Sequence, residues 1–301
     1  MSDSVELVEV GPRDGLQNES VLLSAETKIR FVNALSRVGH TRIEATAFVS
    51  PARVPQMADA FEVMTGIHRR EGVRYSALVP NEKGLERALD AGTEEIAVFT
   101  ATSDTFNRKN TGVGLEDSFK RLAGVVTEAL TRKVLVRGYL STILHCPYEG
   151  RIDPTLTVRL TERLLDLGCY EVSLGETLGR AVPGQIRSLC ADLTSAGILG
   201  RCAGHFHDTY GLGIANILEA LNAGIRTFDA SAGGLGGCPY APGAAGNVAT
   251  EDLLYLFQEE GMAVAPELAR QVAATALIES ALARPLPGKT YRAMGCDEGD
   301  G

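Results

Sequence analysis

One arrangement recurs eight times along this chain and limits what it can fold into: a short β-branched run, a Gly- or polar-rich turn, then a stretch with helical spacing. The runs fall at residues 5–10, 42–48, 75–79, 95–101, 134–142 and 171–176, then around His205, and finally at 227–232. They read as nearly continuous apolar strands, the pattern of a parallel sheet covered on both faces. Gly39, Gly92, Gly168 and Gly224 each precede a run by a few residues. A glycine there ends the preceding helix in the left-handed conformation. Ser24 opens the first helix; others are expected from about Val54, over 248–259 and, outside the repeats, over 265–283. Eight units favour a closed (β/α)8 TIM barrel over an open doubly wound sheet, which usually has fewer strands. The expectation is a single α/β domain over 1–301, the barrel spanning about 5–262 and an additional C-terminal helix and tail 263–301, loose from Gly295.

The composition narrows the function. With 45% hydrophobic and 22% charged residues, a large core is available and disorder is disfavoured. A net charge of −9 without a basic block argues against a nucleic-acid partner. Met1-Ser2-Asp3-Ser4 has neither the basic nor the apolar part of a secretory signal. No apolar stretch reaches the ~20 residues that span a membrane. Six cysteines without a C-x-x-C pair suit reduced thiols. A cytoplasmic location is therefore expected.

The chemistry gathers around Ala203-Gly204-His205-Phe206-His207-Asp208-Thr209. On a strand, His205 and His207 project to one face and Phe206 to the other. Two such imidazoles can hold one metal ion; two core histidines bonded to the backbone are the bland alternative. In a barrel of this type the site forms at the C-terminal ends of the strands. Arg13, Asp14, Glu44, Asn81, Arg137, Tyr139, Glu176, Asp208 and Asn247 all fall there. Singly each has a dull explanation: Asp14 as a turn cap, Glu44 as partner of a core arginine, Asn247 as a helix cap. Together they describe a mixed N/O site. Hard oxygen ligands favour Mg²⁺ or Mn²⁺, and imidazoles also admit Co²⁺ or Zn²⁺. Dinucleotide, P-loop and nucleophile-elbow motifs are absent from the sequence. The run Gly233 to Gly237 suits a phosphate cradle or a mobile lid equally.

Several blocks carry a resemblance: Val10-Gly11-Pro12-Arg13-Asp14-Gly15-Leu16-Gln17-Asn18-Glu19, Phe48-Val49-Ser50-Pro51, Arg137-Gly138-Tyr139, Cys146-Pro147-Tyr148-Glu149-Gly150, His205-Phe206-His207-Asp208-Thr209-Tyr210-Gly211 and Gly234-Leu235-Gly236-Gly237-Cys238-Pro239-Tyr240. In order and over about residues 5 to 285, the chain resembles the hydroxymethylglutaryl-CoA lyase family. The resemblance implies a divalent ion held by Asp14, His205, His207 and Asn247. It implies an acyl-CoA substrate met by Arg13, Gln17, Asn81, Tyr139, Ala47 and Thr100. It implies catalytic parts for Arg13, which stabilises an enolate-like oxygen, for Glu44, which orients Arg13, for Glu176 and His205, and for Cys238, a proton-transfer residue on the Gly-rich loop. A homodimer or higher homo-oligomer is expected.

Three positions depart from the family pattern. Glu176 stands where the family has aspartate, Ala47 replaces a serine, and Thr100-Ala101-Thr102-Ser103 replaces a Gly-Ala-Ala-Ser-like run. The leading expectation is cleavage of 3-hydroxy-3-methylglutaryl-CoA to acetyl-CoA and acetoacetate. The same cleavage of a homologue with another C3 substituent is the alternative. Condensation, or a non-catalytic binding barrel, fits less well.

Overall fold

The computed structural model describes residues 4–236 and 246–295. Eight parallel strands close into a barrel: β1 (Glu6–Glu9), β2 (Arg42–Ala47), β3 (Arg74–Leu78), β4 (Glu95–Ala101), β5 (Leu135–Ser141), β8 (Glu171–Glu176), β9 (Cys202–Phe206) and β10 (Thr227–Ala230). β1 pairs with both β2 and β10, so the sheet has no free edge. A two-stranded antiparallel hairpin, β6 (His145–Cys146) and β7 (Gly150–Arg151), follows β5 outside the barrel.

Helices cover the outside: α1 (Ala25–Val38), α2 (Ala60–Gly66), α3 (Glu82–Asp90), α4 (Asp104–Thr111), α5 (Leu115–Thr131), α6 (Pro154–Leu167), α7 (Pro183–Ser195), α8 (Gly213–Ala223) and α9 (Thr250–Glu259). Beyond the repeats lie α10 (Leu268–Leu282), against α1, and the short α11 (Lys289–Gly295). The expected closed barrel with an added C-terminal helix is what forms. None of the described helices is long and apolar enough to cross a membrane.

Local chemistry explains the boundaries. Ser24 caps α1 by accepting from the Thr27 N–H. Gly39, Gly168 and Gly224 end α1, α6 and α8 with positive φ. Gly92 instead sits one residue beyond the cap Ala91, with φ 70°. The helix expected from Val54 begins as a 3₁₀ turn at Pro55–Met57, and α2 starts only at Ala60. Gly112, with φ 82°, ends α4 and separates it from α5. The C-terminal α11 buries Tyr291, and the tail expected to be loose lies, beyond Gly295, outside the described residues.

The outward faces of the strands are mostly apolar, with Glu9, Thr100 and Glu176 as exceptions, but the lumen is not. Branched aliphatic side chains commonly fill such barrels. Here Arg137, on β5, donates through Nη2 to Asp229 Oδ1 on β10 at 2.8 Å. These strands are not neighbours, so the bond crosses the lumen. Arg137 also donates through Nε to Glu171 Oε1 at 2.7 Å and through Nη1 to the Tyr139 hydroxyl at 3.0 Å. Below it Arg42 reaches Glu6 and Glu171, closing the N-terminal end. The expectation of nearly continuous apolar strands therefore holds for one face only.

Removing the central cation leaves two buried carboxylates short of a partner. Arg137→Met should cost about 3–5 kcal/mol of unfolding free energy in urea titrations, the usual penalty for breaking a buried ion pair. A cost below about 1 kcal/mol would show that the lumen charges do not depend on Arg137.

Candidate active site and metal centre

At the C-terminal end of β1 the chain makes one π-helical turn, Gly11–Gly15. The N–H groups of Arg13, Asp14 and Gly15 all converge on the Val10 carbonyl. Such turns cluster at functional sites because they displace side chains from the helical path. The turn is pressed against the segment after β10. A Cβ on Gly15 would lie 2.6 Å from Ser231 Oγ and 2.8 Å from Leu235 Cβ, so only glycine fits. Glu9 ties the same two segments together: its Oε1 accepts from the Gly11 N–H at 2.8 Å and the Ala232 N–H at 2.9 Å.

Arg13 is 6% exposed. Its Nε donates to Glu44 Oε2 at 2.6 Å and its Nη1 to Asp14 Oδ1 at 2.5 Å. The Tyr139 hydroxyl donates to the same Glu44 oxygen at 3.2 Å, and the guanidinium lies over the Tyr139 ring. Burial opposes the charge on Arg13, but Glu44 and Asp14 override it and raise its pKa.

The two histidines share a face. His205 Nε2 and His207 Nε2 stand 3.3 Å apart, and Asp14 Oδ2 is 3.9 Å from His205 Nε2. His207 forms an antiparallel bridge with Asn247, flanked by Asp208 N–H to Gly246 carbonyl and Val248 N–H to Phe206 carbonyl bonds. That pairing sets Asn247 beside the histidines. Its amide donates to Asp14 Oδ2 at 2.9 Å and to the Leu235 carbonyl at 3.1 Å.

The donor set fits a divalent ion. Ligand atoms of Asp14, His205 and His207 all lie within 4.8 Å of one another. His205 Nδ1 is 3.1 Å from Asp229 Oδ2, which turns the ring so that Nε2 faces the cluster; burial opposes the charge on His205, but Asp229 overrides it and raises the pKa. Burial works against ionising Asp14, yet Arg13 and the two histidines bring its pKa down to about 2. Burial, then the neighbouring His205, lowers His207 to about 4. A carboxylate that is always ionised and an imidazole that is neutral at physiological pH are the forms that bind metal.

Among the other expected site residues, Tyr139 faces the lumen and Gln17 is half-buried just past the turn. Ala47 is fully buried at the end of β2. Three positions do not join the cluster as expected. Thr100 is in register with Leu140, the helix-facing row, and contacts Asn107 and Ser118 on α4 and α5 rather than the cavity. Asn81 caps α3 by accepting from the Gly84 N–H. Glu176 is in register with Phe206, not with His205, and so lies on the opposite side of the sheet. The β-strand alternation decides all but Asn81. Cys238 lies outside the described residues. Asp229 and Glu9 went unrecognised in the sequence; the signal was an acid inside an otherwise apolar strand.

With this geometry in place, the comparisons are specific. The HMGL-like family model matches residues 4–278. The chain belongs to the HMGL-like family. It is 46% identical over 293 residues to the cytoplasmic 3-hydroxy-3-methylglutaryl-CoA lyase of Rattus norvegicus, covering 97% of this chain and 85% of that one. It is 51% identical over 252 residues to the 3-hydroxy-3-isohexenylglutaryl-CoA/hydroxy-methylglutaryl-CoA lyase of Pseudomonas aeruginosa, covering 84% of each. A crystal structure of hydroxymethylglutaryl-CoA lyase from Pseudomonas aeruginosa superposes with a TM-score of 0.96 at 45% identity, covering 99% of both chains. As an HMGL-like barrel, the chain places its mixed N/O centre where the strand ends of the fold put function.

Asp229→Asn keeps the shape of the His205 partner but removes its charge. Affinity for Mn²⁺, followed by electron paramagnetic resonance, should fall about 10–100-fold while the fold survives. Unchanged affinity would separate Asp229 from the metal centre.

Proposed function

We propose that this chain cleaves 3-hydroxy-3-methylglutaryl-CoA to acetyl-CoA and acetoacetate, with Mg²⁺ or Mn²⁺ held by Asp14, His205, His207 and Asn247. One observation carries the reading. A buried cation, Arg13, follows directly from the π-turn beside the cluster of Asp14 and the two histidines, and Glu44 locks its direction. When bound, the ion would supply the positive charge that acidifies the substrate's tertiary hydroxyl.

In the reaction that hydroxyl loses its proton, its electron pair becomes the ketone C=O, and the C2–C3 bond breaks. The bonding electrons move onto the thioester as an enolate, which takes up a proton to give acetyl-CoA. Arg13 meets that enolate oxygen. A guanidinium already desolvated and held by Glu44 needs no reorganisation as the negative charge develops, so its effect is larger in the transition state than in the ground state. Tyr139 and Glu44 keep it in place. Cys238 is proposed as the residue that protonates the enolate. The names of both relatives support an acyl-CoA thioester as the substrate class.

A second reading has its own support. The Pseudomonas aeruginosa relative is named for two acyl groups, one with a much larger C3 substituent. Of the three departures from the family pattern, Ala47 stands at the end of β2 on the side of the cluster and supplies the volume and the lost hydroxyl that a different C3 substituent would meet. Turnover of a small panel of 3-hydroxyacyl-CoA thioesters differing at C3 would rank them.

Arg13→Met should retain Mn²⁺ and the native fold but lower kcat by at least ~10²–10³, the usual effect of losing one oxyanion donor. A variant keeping half the wild-type rate would remove Arg13 from the mechanism. Cys238→Ala should bind substrate with little change in KM and turn over slowly; full turnover would leave its loop without a chemical role.

A further inference from the structure

Glu176, the last residue of β8, carries a carboxylate with no exposed surface. Neither of its oxygens has a hydrogen-bond partner among the described residues. An unpaired buried carboxylate is expensive, so a donor has to be supplied. The nearest ion-pairing group is His145, at the start of the β6–β7 hairpin. Its Nδ1 lies 3.8 Å from Glu176 Oε1 and is itself buried without a hydrogen-bond partner. Two orphaned, complementary groups thus face each other across a gap slightly too long for a hydrogen bond.

We infer that His145 and Glu176 work as a coupled pair in which His145 is a positioning residue for the end of β8. This rests on the lyase reading above. Both mounts are rigid. Glu149 Oε1 accepts from the Thr105 N–H at 2.8 Å, and Cys146 Sγ donates to Ser103 Oγ at 3.0 Å, which pins the hairpin to α4 and its cap. The segment leading into the hairpin is stitched to the end of β8: Thr142 N–H donates to Thr177 Oγ1 at 2.9 Å and Ile143 N–H to the Gly175 carbonyl at 3.2 Å. A small torsional change at either side chain closes the gap without moving the backbone.

The pair acts on the metal centre indirectly. Glu176 faces away from the lumen, so it does not touch the reacting atoms. Its backbone is paired in register with Phe206, the residue between the two histidines. Fixing Glu176 therefore fixes the main chain beside a metal ligand. The pair also accounts for the departure noted in the sequence. An aspartate at 176 would be one methylene shorter and would end farther from His145; the longer side chain and the histidine belong together.

The test is a double-mutant cycle of His145→Ala, Glu176→Asp and the double variant on full-length, Mn²⁺-loaded protein. Each single substitution should lower kcat for 3-hydroxy-3-methylglutaryl-CoA about tenfold, with KM, bound Mn²⁺ and melting temperature nearly unchanged. The double variant should be no worse than either single one, because the shorter acid no longer needs the missing ring. Losses that multiply, or that track loss of Mn²⁺ or of fold, would overturn the coupling. A second readout does not need activity: Glu176→Gln should shift the ¹⁵N resonances of the His145 ring, and unmoved resonances would overturn the pair. If wild type cleaves no thioester while those resonances move, the lyase reading fails and the pairing stands.

Discussion

The guanidinium of Arg137 holds the site together from below. It sits in the lumen, 1% exposed, and its charge survives burial because Asp229 and Glu171 surround it. Two lines of contact leave it. One runs through Asp229 to the Nδ1 of His205. The other runs through the Tyr139 hydroxyl to Glu44 and from there to Arg13. A proposed metal ligand and the proposed oxyanion donor are thus oriented by a single cation lying between them. Well-packed apolar residues would stabilise a barrel at least as well. What they would lack is a fixed direction for two functional side chains at once.

Protonation at the upper end of the lumen follows from the same arrangement. Burial alone would leave Asp14 protonated. Arg13 and the histidines reverse that, while His207 is kept neutral by burial and by its neighbour. The proton on His205 is directed to Nδ1 by Asp229. Asp14 and His207 are therefore in binding form before any ion arrives, while His205, whose pKa Asp229 raises against burial, is the group that would release a proton on capture.

Much of this was legible in the sequence. The strand runs are long, β-branched and separated by glycines at positive φ, so their number and order followed directly. The candidate ligand residues were legible because chemistry of that kind is rare in a strand end: H-x-H, Arg-Asp after the first run, an asparagine after the last. Three kinds of feature escaped. The lumen network was missed because Arg137, Glu171 and Asp229 are far apart in sequence, and only closure of the barrel makes them neighbours. Thr100 and Glu176 were assigned to the cavity although each falls on the outward phase of its strand, an error of one residue in register. The β6–β7 hairpin has two residues per strand, too few to show any periodicity.

The closure of β1 against β10 has a consequence for how this protein comes into being. Asp14 belongs to the first repeat, the histidines to the seventh, and Asn247 to the segment after the eighth. No contiguous fragment shorter than about four-fifths of the chain contains the whole donor set. A chain emerging from the ribosome, or one misfolded with an open barrel, has no complete coordination sphere to offer. Capture of an ion by this set would therefore select molecules whose barrel has already closed.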